Sequence, residues 1–265
     1  MPRLTALLLA LMLLLAPAQA EDTPLTLRSA SSIAEVETFL LLSQEDTPAP
    51  VQPGYLRYIS QSQKRDASFC KEYWLGGEEG SVLDLTLKER YGVTFDFHAG
   101  IMCTRAAYSM VLSYFGIDMT PGDMSRVTGN RNLYEPYTEI SEMVGVEQVR
   151  VKANRFNTMV DNYLTDESYS PVYLYFQKPN GTNHAVLVVA HLKDQGRYLV
   201  VDSSPFWVNG QPHRVFFISL NKARSKIINS TFYDEMVGST VLQVQQWRLV
   251  EPPSDPEAES TASPT

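Results

Sequence analysis

Residues 98–116 decide the fold of this chain, and they read His98-Ala-Gly-Ile-Met-Cys103-Thr-Arg-Ala-Ala-Tyr-Ser-Met-Val-Leu-Ser-Tyr-Phe-Gly116. After the cysteine, apolar residues recur at steps of three and four, which predicts a helix with a buried face. Gly116 ends the predicted helix, because glycine adopts the left-handed conformation after a helix at little cost. Cys103 therefore stands at the start of a buried helix.

This position suits a reactive thiol. The positive end of the helix dipole and the unpaired N–H groups of the first turn favour the thiolate, which is the nucleophilic form of cysteine. Two structural roles remain as alternatives. Cys103 is a small buried hydrophobe, or it forms a disulfide with Cys70, the other of the two cysteines in the chain. A bridged sulfur cannot act as a nucleophile.

The first 20 residues have the pattern of a secretory signal peptide. One positive charge, Arg3, precedes an apolar run, and Ala18-Gln-Ala20 fits a cleavage site. The run is too short for a good membrane span, and no later segment approaches about 18 consecutive apolar residues. We expect an exported protein, periplasmic or extracellular, without a membrane span.

Charge and composition exclude one class of partner. The formal net charge of -8 becomes -9 when Arg3 leaves with the signal peptide, and the sequence contains no basic stripe. We therefore expect no nucleic-acid partner. At 44% hydrophobic residues the chain can bury a substantial core, and its length fits one large domain with an N-terminal extension.

The order of the predicted elements indicates an α+β fold. The first half is helical, with a short helix after Ser32 and further helices at about 120–129, 137–144 and 156–164. The second half is an antiparallel sheet, with strands predicted at 172–177, 184–192, 197–202, 214–220 and 240–250. The predicted divisions are a signal peptide (1–20), an N-terminal extension that wraps the domain (21–94), the main domain (95–250) and a disordered tail (251–265).

A nucleophilic cysteine needs a base, and histidine suits this role near neutral pH. Among four histidines, His184 stands out because it opens a predicted strand directly after a turn. The next strand ends at Asp202, whose carboxylate would orient the imidazole and stabilise its protonated form. A four-residue loop at 193–196 would put the two side chains on opposite faces of the sheet. The pair therefore requires a loop of different length or a β-bulge.

No metal or organic cofactor is predicted. His191 and His213 are interpreted as ordinary strand or surface residues. The sequence contains no His-x-x-x-His or Cys-x-x-Cys spacing of the kind that would favour a zinc site.

Four segments together resemble the papain-like cysteine peptidases, and most closely the bacterial double-glycine, bacteriocin-processing peptidases and their exported relatives. The segments are Cys103-x-x-Ala-Ala-x-x-Met-Val-Leu-x-Tyr-Phe-Gly116, Thr120-Pro-Gly-Asp123, His184-Ala-Val-Leu-Val-Val189 and Tyr198-Leu-Val-Val-Asp-Ser-Ser-Pro205. The resemblance covers about residues 95–220. It implies a papain-like fold, in which a helical subdomain carrying the cysteine packs on an antiparallel β-sheet carrying the histidine.

Residue by residue, the resemblance implies Cys103 as nucleophile, His184 as general base and acid, and Asp202 as the residue that orients His184. The family usually has a glutamine six residues before the cysteine, whose amide helps to hold the oxyanion. Phe97 stands at that place, and the adjacent His98 is the candidate donor. Loss of one oxyanion donor costs roughly 10²–10³ in rate.

The predicted function is that of an exported cysteine peptidase-like hydrolase, which cleaves peptide or amide bonds of a peptide or protein substrate. Two alternatives stay open. Transglutaminase-like acyl transferases and amidases share the order Cys, His, Asp. A papain-like fold that has lost its chemistry would serve as a binding module.

Overall fold

A computed structural model describes residues 24–42, 49–60, 103–121, 145–151, 155–223 and 225–250. The predicted signal peptide, the predicted helix at 137–144 and the predicted tail lie outside these residues. So do Cys70, His98 and nearly all of the predicted helix at 120–129. Within the described ranges the fold is α+β, as predicted, because helices pack on a large antiparallel sheet.

The helices of the described ranges are α1 (Ile33–Glu37), α2 (Cys103–Tyr114) and α3 (Phe156–Thr165). Helix α2 begins at Cys103, and all 12 of its residues are buried. It ends as predicted, with Gly116 at φ +79°. The N–H groups of Gly116 and Ile117 donate to carbonyls of the last turn at 2.9 and 3.1 Å, which is a Schellman motif. None of these helices has both the length and the apolar character of a membrane span.

The main sheet has the strand order β3-β9-β4-β5-β6-β7-β8, and all of its pairs are antiparallel. Its strands are β3 (Val146–Val151), β4 (Val172–Gln177), β5 (Asn183–Leu192), β6 (Arg197–Val208), β7 (Gln211–Asn221), β8 (Lys226–Ser230) and β9 (Thr240–Leu249). Lys226 of β8 also pairs with Thr240 of β9, so the sheet curls back and brings the end of its β8 edge against β9. The predicted strands are present, β6 and β7 are longer than predicted, and β8 was not predicted.

Residues 24–42 and 49–60, which belong to the predicted N-terminal extension, pack into the core. They form a small parallel sheet from β1 (Leu40–Leu42) and β2 (Leu56–Tyr58). The Gly54 N–H donates to the carbonyl of Tyr114 at 2.8 Å, and the Arg57 N–H donates to the Ser113 hydroxyl at 2.8 Å. The segment is thus fastened to the C-terminal end of α2. Its side chains with 1% exposure or less are Leu27, Val36, Leu56 and Arg57.

Candidate active site

Cys103 is the first residue of α2, where the backbone N–H groups have no acceptor within the helix. Its side chain is 6% exposed and its thiol is free. A free thiol removes the alternative of a bridge to Cys70. Helix α2 packs against β2, β5 and β6, and this packing brings Cys103 to the strands that carry the other two predicted site residues.

His184 and Asp202 form a buried pair on neighbouring strands. His184 is 4% exposed near the start of β5, and Asp202 is fully buried in β6. The Nε2 atom of His184 lies 2.8 and 2.9 Å from the two carboxylate oxygens. The backbone N–H of Ser204 donates to the same carboxylate at 2.7 Å. The buried charge of Asp202 is therefore paired and hydrogen-bonded, as a buried carboxylate requires.

A β-bulge brings these two side chains to one face of the sheet. The turn at 193–196 has four residues, which is the case in which a regular ladder would separate the side chains. The ladder is irregular, because Val189 is an extra residue of β5 that shifts the register by one. Continuing the shifted register places Asp202 on the same face as His184.

The charges around His184 favour its protonated form. Burial lowers the pKa of this imidazole, but the charge and hydrogen bond of Asp202 and the hydrogen bond and charge of Cys103 raise it from 6.5 to about 10. Because Nε2 is held by Asp202, Nδ1 is the nitrogen left for the Cys103 thiol. At neutral pH the site therefore contains an imidazolium between a sulfur and a carboxylate.

Three aromatic side chains interact with the pair. The Tyr58 hydroxyl, from β2, donates to the backbone carbonyl of Asp202 at 2.9 Å. The ring of Phe176 stands edge-on to His184 with centroids 5.7 Å apart. Burial, followed by the charges of Asp202 and Glu235, raises the pKa of Tyr233 to about 12. The hydrogen bond between His184 and Asp202 is thus formed by two buried side chains, 4% and 0% exposed.

Sequence reasoning missed these aromatic residues. Phe176 pairs with His184 across the hairpin of β4 and β5. The turn signal Pro179-Asn-Gly between two predicted strands was a usable indication of that pair. Tyr58 lies 144 residues from Asp202, and no local pattern in the sequence links the two.

The other histidines lie apart from this pair. His191 is at the opposite end of β5 and stacks on Tyr198 with centroids 4.3 Å apart. Burial, followed by the charges of two lysines, lowers its pKa. His213 stacks on Phe232 at 4.8 Å. His98, the predicted oxyanion donor, lies outside the described residues, and within them no three His, Cys, Asp or Glu side chains are grouped to hold a metal ion.

Fold and site together define an α+β protein in which a buried helix presents a thiol to a His–Asp pair on an antiparallel sheet. The chain matches no known family model, and it has no significant match among curated proteins. Its function is therefore argued from the geometry of these three residues.

Proposed function

We propose that the protein is an exported, papain-like cysteine hydrolase that cleaves peptide or amide bonds in peptides or proteins. One observation carries the proposal: the series of contacts from Cys103 through His184 to Asp202. A nucleophile, a base that contacts it and a group that orients the base are the three parts that covalent acyl transfer needs.

The papain-like fold is proposed on the same elements. A helix that begins with the nucleophilic residue packs against the antiparallel strands β5 and β6. His184 lies near the start of β5, and Asp202 lies on the adjacent strand. This is the arrangement that the sequence resemblance implies.

In the first chemical step, the Cys103 sulfur attacks the carbonyl carbon of the scissile bond. The positive imidazolium of His184 favours the negative charge on the sulfur before attack. His184 then gives its proton to the leaving amine while the C–N bond breaks. The product of this step is a thioester between Cys103 and the acyl part of the substrate.

In the second step, water replaces the thiol. Neutral His184 accepts a proton from water, whose oxygen attacks the thioester carbon, and the C–S bond breaks to release a carboxylic acid. Asp202 holds the imidazole by Nε2 throughout, so that Nδ1 always faces the reacting atoms. The oxyanion of each step lies near the unpaired N–H groups of the first turn of α2.

Alkylation of the thiol tests the proposal directly. The mature protein is treated with iodoacetamide at mildly acidic pH, before and after reduction, and the labelled cysteine is mapped by mass spectrometry. We expect rapid labelling of Cys103 without reduction. His184→Ala should slow it by about 10²-fold, because an isolated thiol of pKa ~8.5 is almost fully protonated under these conditions.

His213→Ala is the matched control, since His213 stacks on Phe232 and takes no part in the pair. Its labelling rate should equal that of the wild type. If labelling is slow and His184→Ala does not change its rate, the hydrolase proposal is wrong and the catalytically inactive binding module is favoured. New peptide termini produced from a peptide library, and absent with Cys103→Ala, would identify the reaction as hydrolysis.

A further inference from the structure

Arg214 of β7 is a cation without a partner anion. Among the residues that the structure describes, it makes no ion pair and no hydrogen bond, and its Nε atom is buried. Its guanidinium lies over the ring of Tyr58, 5.2 Å from the ring centroid. Several other described arginines do bond to oxygen atoms: Arg28 to Tyr114, Arg57 to Asp118, Arg197 to Thr231 and Arg248 to Glu147. A buried donor without an acceptor needs a partner, and a ligand can supply one.

The strand register places Arg214 beside the candidate active site. Val201 of β6 pairs with Val215 of β7, and the register shifts directly after this pair, so Arg214 lies opposite the irregular stretch of β6 that begins at Asp202. Tyr58 contacts both residues. Its hydroxyl donates to the backbone carbonyl of Asp202, and its ring lies against the guanidinium of Arg214.

Asp202 does not neutralise this cation. Its carboxylate is already bonded to His184 and to the N–H of Ser204. The N–H donors of Arg214 are therefore not used by Asp202 and remain for a ligand.

The chemistry of a guanidinium selects the kind of ligand. Its planar set of N–H donors matches the two oxygens of a carboxylate, and stacking on an aromatic ring holds it flat while leaving its edge available. We propose that Arg214 forms a subsite for a carboxylate of the substrate, either an acidic side chain or the free C-terminus of a peptide.

This inference rests on the proposed function, and the mechanism fixes the side of the scissile bond. His184 gives its proton to the leaving amine, so the leaving part of the substrate lies on the His184 side of Cys103. Arg214 is on that same side, because Tyr58 contacts both Arg214 and Asp202. The selected carboxylate therefore belongs to the part of the substrate that follows the scissile bond.

Two alkylating reagents of similar size and different charge test the subsite. Iodoacetate carries a carboxylate and iodoacetamide is neutral, and the rate of each at Cys103 is measured in the mature protein. We expect Arg214→Gln to lower the ratio of the iodoacetate rate to the iodoacetamide rate by about tenfold. The ratio is the quantity compared, because a change in the reactivity of the thiol itself affects both rates and cancels. Added salt should reduce the wild-type ratio more than the variant's ratio.

Arg197→Gln is the matched control, because it removes the same charge from an arginine that stacks on Phe217 at the other end of β6. Its ratio should remain that of the wild type. Equal ratios in Arg214→Gln and the wild type would overturn the subsite. If iodoacetamide labelling is slow and His184→Ala does not change it, the proposed hydrolase is wrong. Failure of the subsite and failure of the hydrolase therefore give different results.

Equilibrium binding gives a readout that needs no reaction. Chemical-shift titration of the wild type with N-acetyl-alanine, N-acetyl-glutamic acid amide and neutral N-acetyl-alanine amide separates a terminal from a side-chain carboxylate. We expect one or both acids to bind, the amide to bind more weakly, and Arg214→Gln to remove the difference.

Arg214→Lys keeps the charge without the planar donors, so it should keep part of the iodoacetate preference and weaken acid binding. Equal binding of acids and amide by the wild type would overturn the proposal.

Discussion

At the scale of single residues, the protonation of His184 has a thermodynamic consequence. The folded chain holds this proton up to about pH 10, while the imidazole of the unfolded chain releases it near its ordinary pKa of 6.5. The stability that the protonated His184 contributes is therefore fully present below pH 6.5. It is lost progressively as the pH rises toward and through 10.

Urea unfolding at a series of pH values measures this effect. All chains compared carry Cys103→Ser, so that no thiol titrates in the same range. Between pH 6.5 and 10, the free energy of unfolding of the chain with His184 should fall more steeply than that of the chain with His184→Gln, by up to about 1 kcal/mol per pH unit. His213→Gln should not change the slope, because the His213 ring stacks on Phe232 away from the pair. Parallel curves with and without His184→Gln would show that the imidazole is not held as a cation.

The residues that sequence patterns reveal are those with strong local context. Cys103 opens a helix, and His184 opens a strand after a turn, so both predicted positions agree with the structure. Tyr58 and Arg214 carry no such context. Tyr58 reaches Asp202 from a segment 144 residues away, and Arg214 lies in a hairpin whose register is irregular between Val201 and Phe206; no local pattern encodes either feature.

At the scale of elements, the β-bulge decides whether His184 and Asp202 meet. The sequence shows that the two side chains share a face only with a loop of different length or with a β-bulge. It does not show which of the two occurs. The extra residue, Val189, lies in a run of apolar residues that would read the same in a regular ladder. Bulge position depends on how the strand is packed on both faces, and this information is not local.

The end of α2 is also set by a contact that the sequence pattern does not show. Gly116 was predicted as a helix stop for its backbone freedom, and its φ of +79° agrees. A second reason is steric, because a Cβ at Gly116 would lie 2.9 Å from Cγ of Pro53. The N-terminal segment thus packs directly on the glycine.

Gly116→Ala should therefore destabilise the protein by more than backbone strain alone. Gly196 is the matched control, since its φ is +60° and nothing lies within 4 Å of an added Cβ. We expect about 1 kcal/mol of lost stability for Gly196→Ala and about 2–3 kcal/mol for Gly116→Ala, measured by urea unfolding. Equal losses would mean that Pro53 moves aside without cost.

At the scale of the whole molecule, the N-terminal segment is part of the core and of the site. Sequence reasoning predicted an extension that wraps the domain, but did not predict β1 and β2. Each has three residues, and among the described strands each pairs with the other. Such short strands lack the alternation that identifies a strand from sequence. Through Tyr58, this segment also reaches the backbone of Asp202.

Substitution of two leucines tests whether this segment is an integral part of the core. Leu56 of β2 is fully buried, while Leu42 of β1 is 45% exposed. Leu56→Ala should lower the free energy of unfolding by about 2–5 kcal/mol, because the cavity opens beside α2, whereas Leu42→Ala should change it by less than about 1 kcal/mol.

Tryptophan fluorescence and the exposure of Cys103 to alkylation should report the same urea midpoint in each variant, since the segment and the sheet share one core. If Leu56→Ala moved neither midpoint, the segment would fold apart from the sheet. The contact of Tyr58 with Asp202 would then not hold the candidate active site in place.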